Sequence, residues 1–260
     1  MKRPPFYILS SDPRYDRLAA LCEERGFSVS RSPKDAQGQK AVFVFSLGEK
    51  NAFILSVLFH ALPGSVALVG KADEVLSSFA RENGIRLIRA LEDPAYLKQN
   101  ALSTAEGALS RVIESTDRRL SELCLLIYGY GVCGSEIARL FWLCGCDVWV
   151  WSRERGNKKA IEDGFNLYCA PTLGLGMFDG VINTVPDPVF PPSLLSTLRP
   201  GAHFFQVASG ASGISPSFLQ ERGVLYHDLH GLPGKFAPAS EADALFLLIQ
   251  KALKGQNRKE

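Results

Sequence analysis

Short apolar runs alternate along this chain with stretches whose apolar positions recur every three or four residues, the signature of strands alternating with helices. Phe6 to Ser10 reads as a strand. Leu18, Leu21 and Cys22 mark a helix that stops at Gly26, and Phe27 to Ser30 is a short second strand. Ala41 to Phe45 is apolar throughout, as a strand covered on both faces must be. Ala52 to Leu62 reads as helix, Val66 to Val69 as strand, Asp73 to Asn83 as helix with Gly84 past its end, and Ile85 to Ile88 as strand. Repeated βα units of this length predict a small parallel sheet with helices on both faces, forming a first domain over residues 1–92.

Asp93-Pro94 starts a helix as a cap and first-turn proline would. Ser103-Thr104-Ala105-Glu106 then fits a capping box, which predicts a second helix with Ala105, Ala108, Leu109, Val112 and Ile113 on one stripe. Residues 93–120 therefore connect the halves as helix. The second half, 121–238, predicts six strands: Leu123–Tyr128, Asp147–Trp151, Asn166–Cys169, Gly180–Val185, His203–Ala208 and Val224–Asp228. A last helix within 239–260 carries Ala242, Leu245, Phe246, Ile249 and Leu253 on one face and is expected to pack back toward the first domain. The polar tail from Gly255 is expected to fray. The fold class read from this order is α/β, with two doubly wound parallel-sheet domains, the C-terminal one a Rossmann dinucleotide-binding fold.

That last assignment rests on Gly129-x-Gly131-x-x-Gly134, which closes the apolar run Leu123 to Tyr128 and opens a helix with Ile137, Leu140, Phe141 and Cys144 on one face. Strand, turn and helix are the context that gives such glycines meaning. Gly129 permits the tight turn, Gly131 the approach of a pyrophosphate, and Gly134 close helix packing. The phosphates would meet N–H groups at the helix N-terminus, with Val132 and Cys133 at the cofactor site and the Cys133 side chain a spacer in the turn. An NAD site would place a carboxylate at the end of the next strand. Here Ser152 and Arg153 stand there, and a guanidinium fork matches a 2′-phosphate, so the cofactor expected is NADP. Further strand ends supply Asn183, Thr184, Val185 and Pro186, then Ala208 and Ser209. Each is a cofactor contact or a group bonding its own backbone. Past the sixth strand, His230, Gly231, Leu232, Pro233 and Gly234 suggest a shaped substrate loop, with Lys235 or His230 facing a ligand.

Composition narrows the rest. The chain has 260 residues, 46% hydrophobic and 22% charged, with a net charge of +2, an ordinary globular balance without a basic face for nucleic acid. Its opening apolar run is too short for a signal sequence or a membrane span, so a cytoplasmic protein is expected. The six cysteines include no Cys-x-x-Cys pair, and no metal site is expected.

Several of these stretches together resemble the A subunits of dipicolinate synthase: Thr104-Ala-Glu-Gly107, Gly129-Tyr-Gly-Val-Cys-Gly134, Ile182-Asn-Thr-Val-Pro186, Ala208-Ser209 and Gly231-Leu-Pro-Gly-x-x-Ala-Pro238. The resemblance runs from about Asn100 to Leu253, and its last motif is its most specific. It implies a sporulation enzyme on a branch of the lysine pathway. Such an enzyme uses NADP to oxidise a dihydrodipicolinate-type cyclic imine dicarboxylate to pyridine-2,6-dicarboxylate. It also implies a partner, the flavodoxin-like B subunit. A homo-oligomer is compatible with the sequence. On this reading Thr104, Glu106 and Lys235 are the catalytic candidates. For Glu106 the capping box is an alternative role. The family carries basic residues where this chain has Val132, Gly210 and Ala239, which removes counter-charges for a dicarboxylate. The alternative reading is therefore a catalytically degenerate NADP(H)-binding subunit that serves as scaffold or sensor for a flavoprotein-like partner.

Overall fold

The computed structural model describes residues 3–32, 35, 39–169, 174–188, 190–210 and 213–256, the last two without their side chains. In chain order the strands are β1 (Phe6–Leu9), β2 (Val29–Ser30), β3 (Val42–Phe45), β4 (Val66–Val69), β5 (Arg86–Arg89), β6 (Cys124–Tyr128), β7 (Asp147–Trp151), β8 (Asn166–Leu167), β9 (Gly180–Asn183), β10 (His203–Gln206) and β11 (Leu225–Asp228). The helices are α1 (Pro13–Glu24), α2 (Asn51–Leu58), α3 (Glu74–Glu82), α4 (Pro94–Ser115), α5 (Val132–Leu143), α6 (Glu154–Glu162), α7 (Pro192–Leu195), α8 (Pro216–Gln220), α9 (Leu232–Phe236) and α10 (Pro238–Gln256). Two compact units result, one from Met1–Gln99 with Ala237–Glu260, the other from Asn100–Phe236. The end of the polar tail, residues 257–260, lies outside the described residues.

The first unit holds a five-stranded parallel sheet in the order β2-β1-β3-β4-β5. Its central strands are apolar at every position because both faces are covered. Phe6, Ile8, Val42, Val44, Val66 and Leu68 face Leu18 and Cys22 of α1 and Leu245, Phe246 and Ile249 of α10. Tyr7, Phe43, Phe45, Ala67 and Val69 face the other way, onto Ile54 and Leu58 of α2 and Leu76 and Ala80 of α3. Asp12 and Asp73 cap α1 and α3 through their side chains. Gly26 and Gly84, both at positive φ, end the same two helices.

The second unit holds six parallel strands in the order β11-β10-β9-β6-β7-β8, doubly wound with β6 at the centre. Leu125, Ile127, Val148, Val150 and Ile182 pack on Ala105, Ala108 and Val112 of α4 and Ile137 and Phe141 of α5. Leu126, Tyr128, Val181 and Phe204 pack on Leu194, Leu195 and Leu219 of the short helices opposite. Both sheets are the α/β, doubly wound type that the hydrophobic pattern predicts.

Three expectations are corrected. Ser103 to Glu106 does not start a helix: α4 runs unbroken from Pro94 to Ser115. No glycine or proline interrupts residues 95–106, and the Thr104 hydroxyl donates back to Asn100 O at 2.7 Å, an in-helix bond rather than a cap. α2 stops at Leu58, four residues short of the predicted end, because Pro63 and Gly64 follow a turn. The third strand of the second unit is only Asn166–Leu167, an edge strand paired on one side.

One buried polar cluster stands out in the first unit. Glu241 in the first turn of α10 is fully buried, and its Oε2 accepts from Tyr96 Oη at 2.8 Å. Its nearest cation is Arg14, 3.8 Å away, which itself grips Asp12 through both carboxylate oxygens. Glu241 Oε1 has no hydrogen-bond partner. Removing one member of a buried ion pair strands the other charge. Arg14→Met should therefore lower unfolding free energy in urea by about 3 kcal/mol, and adding Glu241→Met should restore most of it. A single-variant loss well under ~1 kcal/mol would show that the pair does not hold the unit together.

In the second unit His203 and His227, on neighbouring strands, stack with Nδ1 and Nε2 3.0 Å apart. Burial, then the His203 and Arg111 charges, push His227 down from 6.5 to about 4. Its folded value lies below its unfolded one, so the unfolded chain takes up the proton first. Stability from this source is complete above 6.5 and falls as pH drops toward 4. His227→Phe should flatten that part of the stability–pH curve in chemical unfolding.

Candidate functional site

The site is built on the turn between β6 and α5. Gly129 takes φ +105°, and a side chain there would strike the Thr184 hydroxyl. A Cβ on Gly134 would stand 2.0 Å from Gly129 O, so glycine at 134 lets the helix press against the turn. Gly131 is different: a Cβ there would meet nothing within 4 Å. It borders an open cleft instead, and as the residue before α5 it gives that helix no side-chain cap. First-turn amides with no capping side chain, beside space kept clear by a glycine, fit a pyrophosphate.

The cleft has room for about 320 Å³ and is lined by Gly129 to Gly134, by Trp151, Ser152 and Arg153 past the body of β7, and by Thr184 to Asp187 past β9. The sequence reading placed Gly129, Gly131, Val132, Cys133, Gly134, Ser152, Arg153, Thr184, Val185 and Pro186 at a cofactor site, and all of these line the cleft. Ser152 Oγ accepts from Tyr130 N at 3.3 Å and its own N–H donates to Asn157 Oδ1 at 2.9 Å, which fixes the β7 end against the glycine turn. Gly156 must be a glycine for the same contact, since a Cβ there would lie 2.1 Å from Ser152 Oγ. Thr184 Oγ1 reaches Tyr128 O and Gly129 O at 3.1 and 3.3 Å, tying β9 to the turn. Val132 is 48% exposed. Burial pushes the Cys133 thiol up to about 12, which disfavours the thiolate.

Other expected residues sit elsewhere. Asn183 is fully buried; its Nδ2 donates to Gln206 Oε1 at 2.9 Å and its Oδ1 accepts from Val185 N at 3.0 Å. Gln206 Nε2 donates to Ala208 O at 2.9 Å, and His230 Nε2 reaches the same oxygen at 2.6 Å. His230 Nδ1 lies 2.5 Å from Asp228 Oδ1. This chain of bonds laces the carboxyl ends of β9, β10 and β11 and engages Asn183, Ala208 and His230 there; Ser209 beside them is exposed. Gly231 to Lys235 is not an open loop. Gly231 turns at φ +72° and Leu232–Phe236 is the short helix α9, with Leu232, Pro233 and Gly234 buried and Lys235 exposed. Proline at a first-turn position suits it to start this helix.

Two motifs far apart in sequence nevertheless meet. A Cβ on Gly107 would lie 3.2 Å from Leu232 and Phe236 atoms, so α4 and α9 touch where glycine leaves room. Thr104, on the same helix, is near enough to Cys133 of the glycine turn to bring its thiol pKa down against the effect of burial. Glu106 is exposed. The sequence reading missed Tyr130, Trp151 and Asp187. Tyr130 carried a signal, its place inside the glycine motif, but Asp187 could be found only from the order of the strands. Among the described residues no cluster of His, Cys, Asp and Glu could hold a metal, and no helix is long and apolar enough to cross a membrane.

The fold is a two-sheet α/β architecture that solved dehydrogenases also have. The chain is similar in fold to Salmonella D-lactate dehydrogenase, with a TM-score of 0.69 at 12% identity, covering 96% of each chain. In sequence the chain resembles the A subunit of dipicolinate synthase. The Bacillus subtilis (strain 168) protein is 26% identical over 191 residues, which span 72% of this chain and 64% of the relative. The match thus takes in somewhat under two thirds of that relative's length. The solved A chain from Bacillus subtilis has a TM-score of 0.80 at 19% identity, covering 100% of this chain and 99% of that one. The Bacillus halodurans A subunit gives 0.80 at 19% identity, covering 96% and 97%. No family model matches the chain.

Two glycine substitutions separate scaffold from cleft. Gly134→Ala should cost roughly 2 kcal/mol or more in chemical unfolding, because the atom it would strike is backbone. Gly131→Ala should cost under ~1 kcal/mol, a helix-cap effect alone, while narrowing the cleft. Equal losses for both would contradict the geometry.

Proposed function

We propose that the chain is an NADP-dependent oxidoreductase of the kind its dipicolinate synthase relatives represent. Its reaction would be oxidation of a dihydrodipicolinate-type cyclic imine dicarboxylate to pyridine-2,6-dicarboxylate, in the cytoplasm during sporulation. The observation that carries the cofactor half is the open space at Gly131, beside the uncapped start of α5 and within one cleft with Ser152 and Arg153. The substrate half is supported by the 26% identical relative. When bound, the dinucleotide would accept a hydride from a ring carbon, the ring losing a proton as it becomes aromatic.

The chain's own residues would do the rest. The first-turn amides of α5 orient the pyrophosphate with the help of the helix dipole. Ser152 and Arg153 face the adenosine ribose, Arg153 offering its fork to a 2′-phosphate. Thr184 holds the β9 end against the turn. Glu106 and Lys235, both exposed on the second unit, are the groups proposed to meet the dicarboxylate or its departing proton. Thr104 would act through the turn it touches. A flavodoxin-like B subunit is the proposed partner.

A second reading is favoured by Val132. An aliphatic side chain, 48% exposed, stands on the cleft wall where the resemblance implies an arginine. On that reading the chain is a catalytically degenerate NADP(H)-binding subunit that serves its partner as scaffold or sensor. One experiment separates the two: NADPH and NADH binding followed by nucleotide fluorescence, with and without pyridine-2,6-dicarboxylate. Tight NADPH binding strengthened by the dicarboxylate is the result expected of the enzyme. NADPH binding indifferent to it supports the degenerate subunit. Binding of neither nucleotide would end both readings.

A further inference from the structure

The sequence places no acidic residue at the first position past β7, yet a carboxylate reaches this corner of the cleft from a different strand. Arg153 Nη2 lies 2.5 Å from Asp187 Oδ2. Arg153 follows β7, Asp187 follows β9, and β6 lies between those strands in the sheet. The ion pair therefore spans the carboxyl end of β6, above the glycine turn, and both residues line the same cleft. The side chains are 73% and 54% exposed. Pairs so exposed contribute about 0–1 kcal/mol, so a bound ligand can open this one.

We infer that Asp187 is a specificity-determining residue. It occupies the Arg153 fork and so weakens binding of a 2′-phosphorylated dinucleotide relative to one with a free 2′-hydroxyl. The inference rests on the cofactor reading above. A 2′-phosphate must displace the carboxylate from Arg153 and then lie beside it. Two like charges ~4 Å apart repel by about 1 kcal/mol in water and by more in a cleft. A 2′-hydroxyl carries no charge and can donate to the Asp187 carboxylate, so the pair need not open for it. Asp187 acts through Arg153 rather than on the reacting atoms, and its effect is on discrimination between nucleotides.

The test is equilibrium binding of NADPH and of NADH to the full chain, for the wild type, Asp187→Asn and Asp187→Glu, with thermal unfolding of each. Asp187→Asn should tighten NADPH roughly tenfold and leave NADH within about twofold, with an unchanged melting temperature. Asp187→Glu should keep the wild-type ratio. An unchanged NADPH-to-NADH ratio in Asp187→Asn would overturn the inference. So would weaker NADPH binding, which would make Asp187 an aligner of Arg153 and not its competitor. If the wild type binds neither nucleotide, the cofactor reading itself falls. If it binds both and the asparagine variant leaves the ratio alone, only the role of Asp187 falls.

Discussion

The second unit depends on one close approach, that of the Gly134 backbone to the carbonyl of Gly129. A single added methyl group at 134 would lie 2.0 Å from that oxygen. Because the contact is backbone on backbone, the α5 axis is set directly by the end of β6, without a side chain whose rotamer could vary. The direction of the first α5 amides follows. So does the position of Gly131, which marks the cleft floor. Thr184 then holds the β9 end to the same turn through two carbonyl oxygens. The cleft walls are thus referenced to the central strand, the most constrained element of a six-stranded sheet.

The polar groups beside this turn divide into two sets. Asn183, Gln206, Ala208, His230 and Asp228 bond one another across three strand ends. Asn183 and Gln206 are buried at the inner end of this chain of bonds, where polar groups must be paired and a paired network is rigid, while His230 and Asp228 carry it out to the surface. Ser152, Arg153 and Asp187 make bonds too, but at the cleft and with much of the charged pair in solvent. The first set gives the strand ends a fixed shape. The second keeps charge available where a ligand would arrive.

What the sequence made legible was local. The central strands β1, β3, β4 and β6 are announced by short apolar runs, and glycine at 129 and 134 has a steric reason in the turn. The misreadings came from competition between local signals and longer-range ones. Ser103 and Glu106 carry the residue types of a capping box, but a helix already under way satisfies those amides, and the box never forms. Gly231 to Lys235 looks like a loop by composition, yet Gly231 serves as the turn and Pro233 sits in the helix that follows. Asn183 and His230 bond across strand ends to Gln206 and Ala208 O, which spacing along the sequence does not show. Asp187 stayed hidden for the same reason: it is 34 residues from Arg153, and only the strand order brings them together.

The helix α10 has a further consequence, for the order in which the molecule can be completed. The second unit is one continuous stretch, Asn100–Phe236, whereas the first takes its chain from both sides of it. Leu245, Phe246 and Ile249 of α10 cover Phe6, Ile8, Leu18 and Val42. During synthesis those residues must wait, apolar face uncovered, until α10, made after the whole of the second unit, leaves the ribosome. The first unit therefore begins before the second and finishes after it, and that interval leaves its apolar face open to chaperone capture or aggregation.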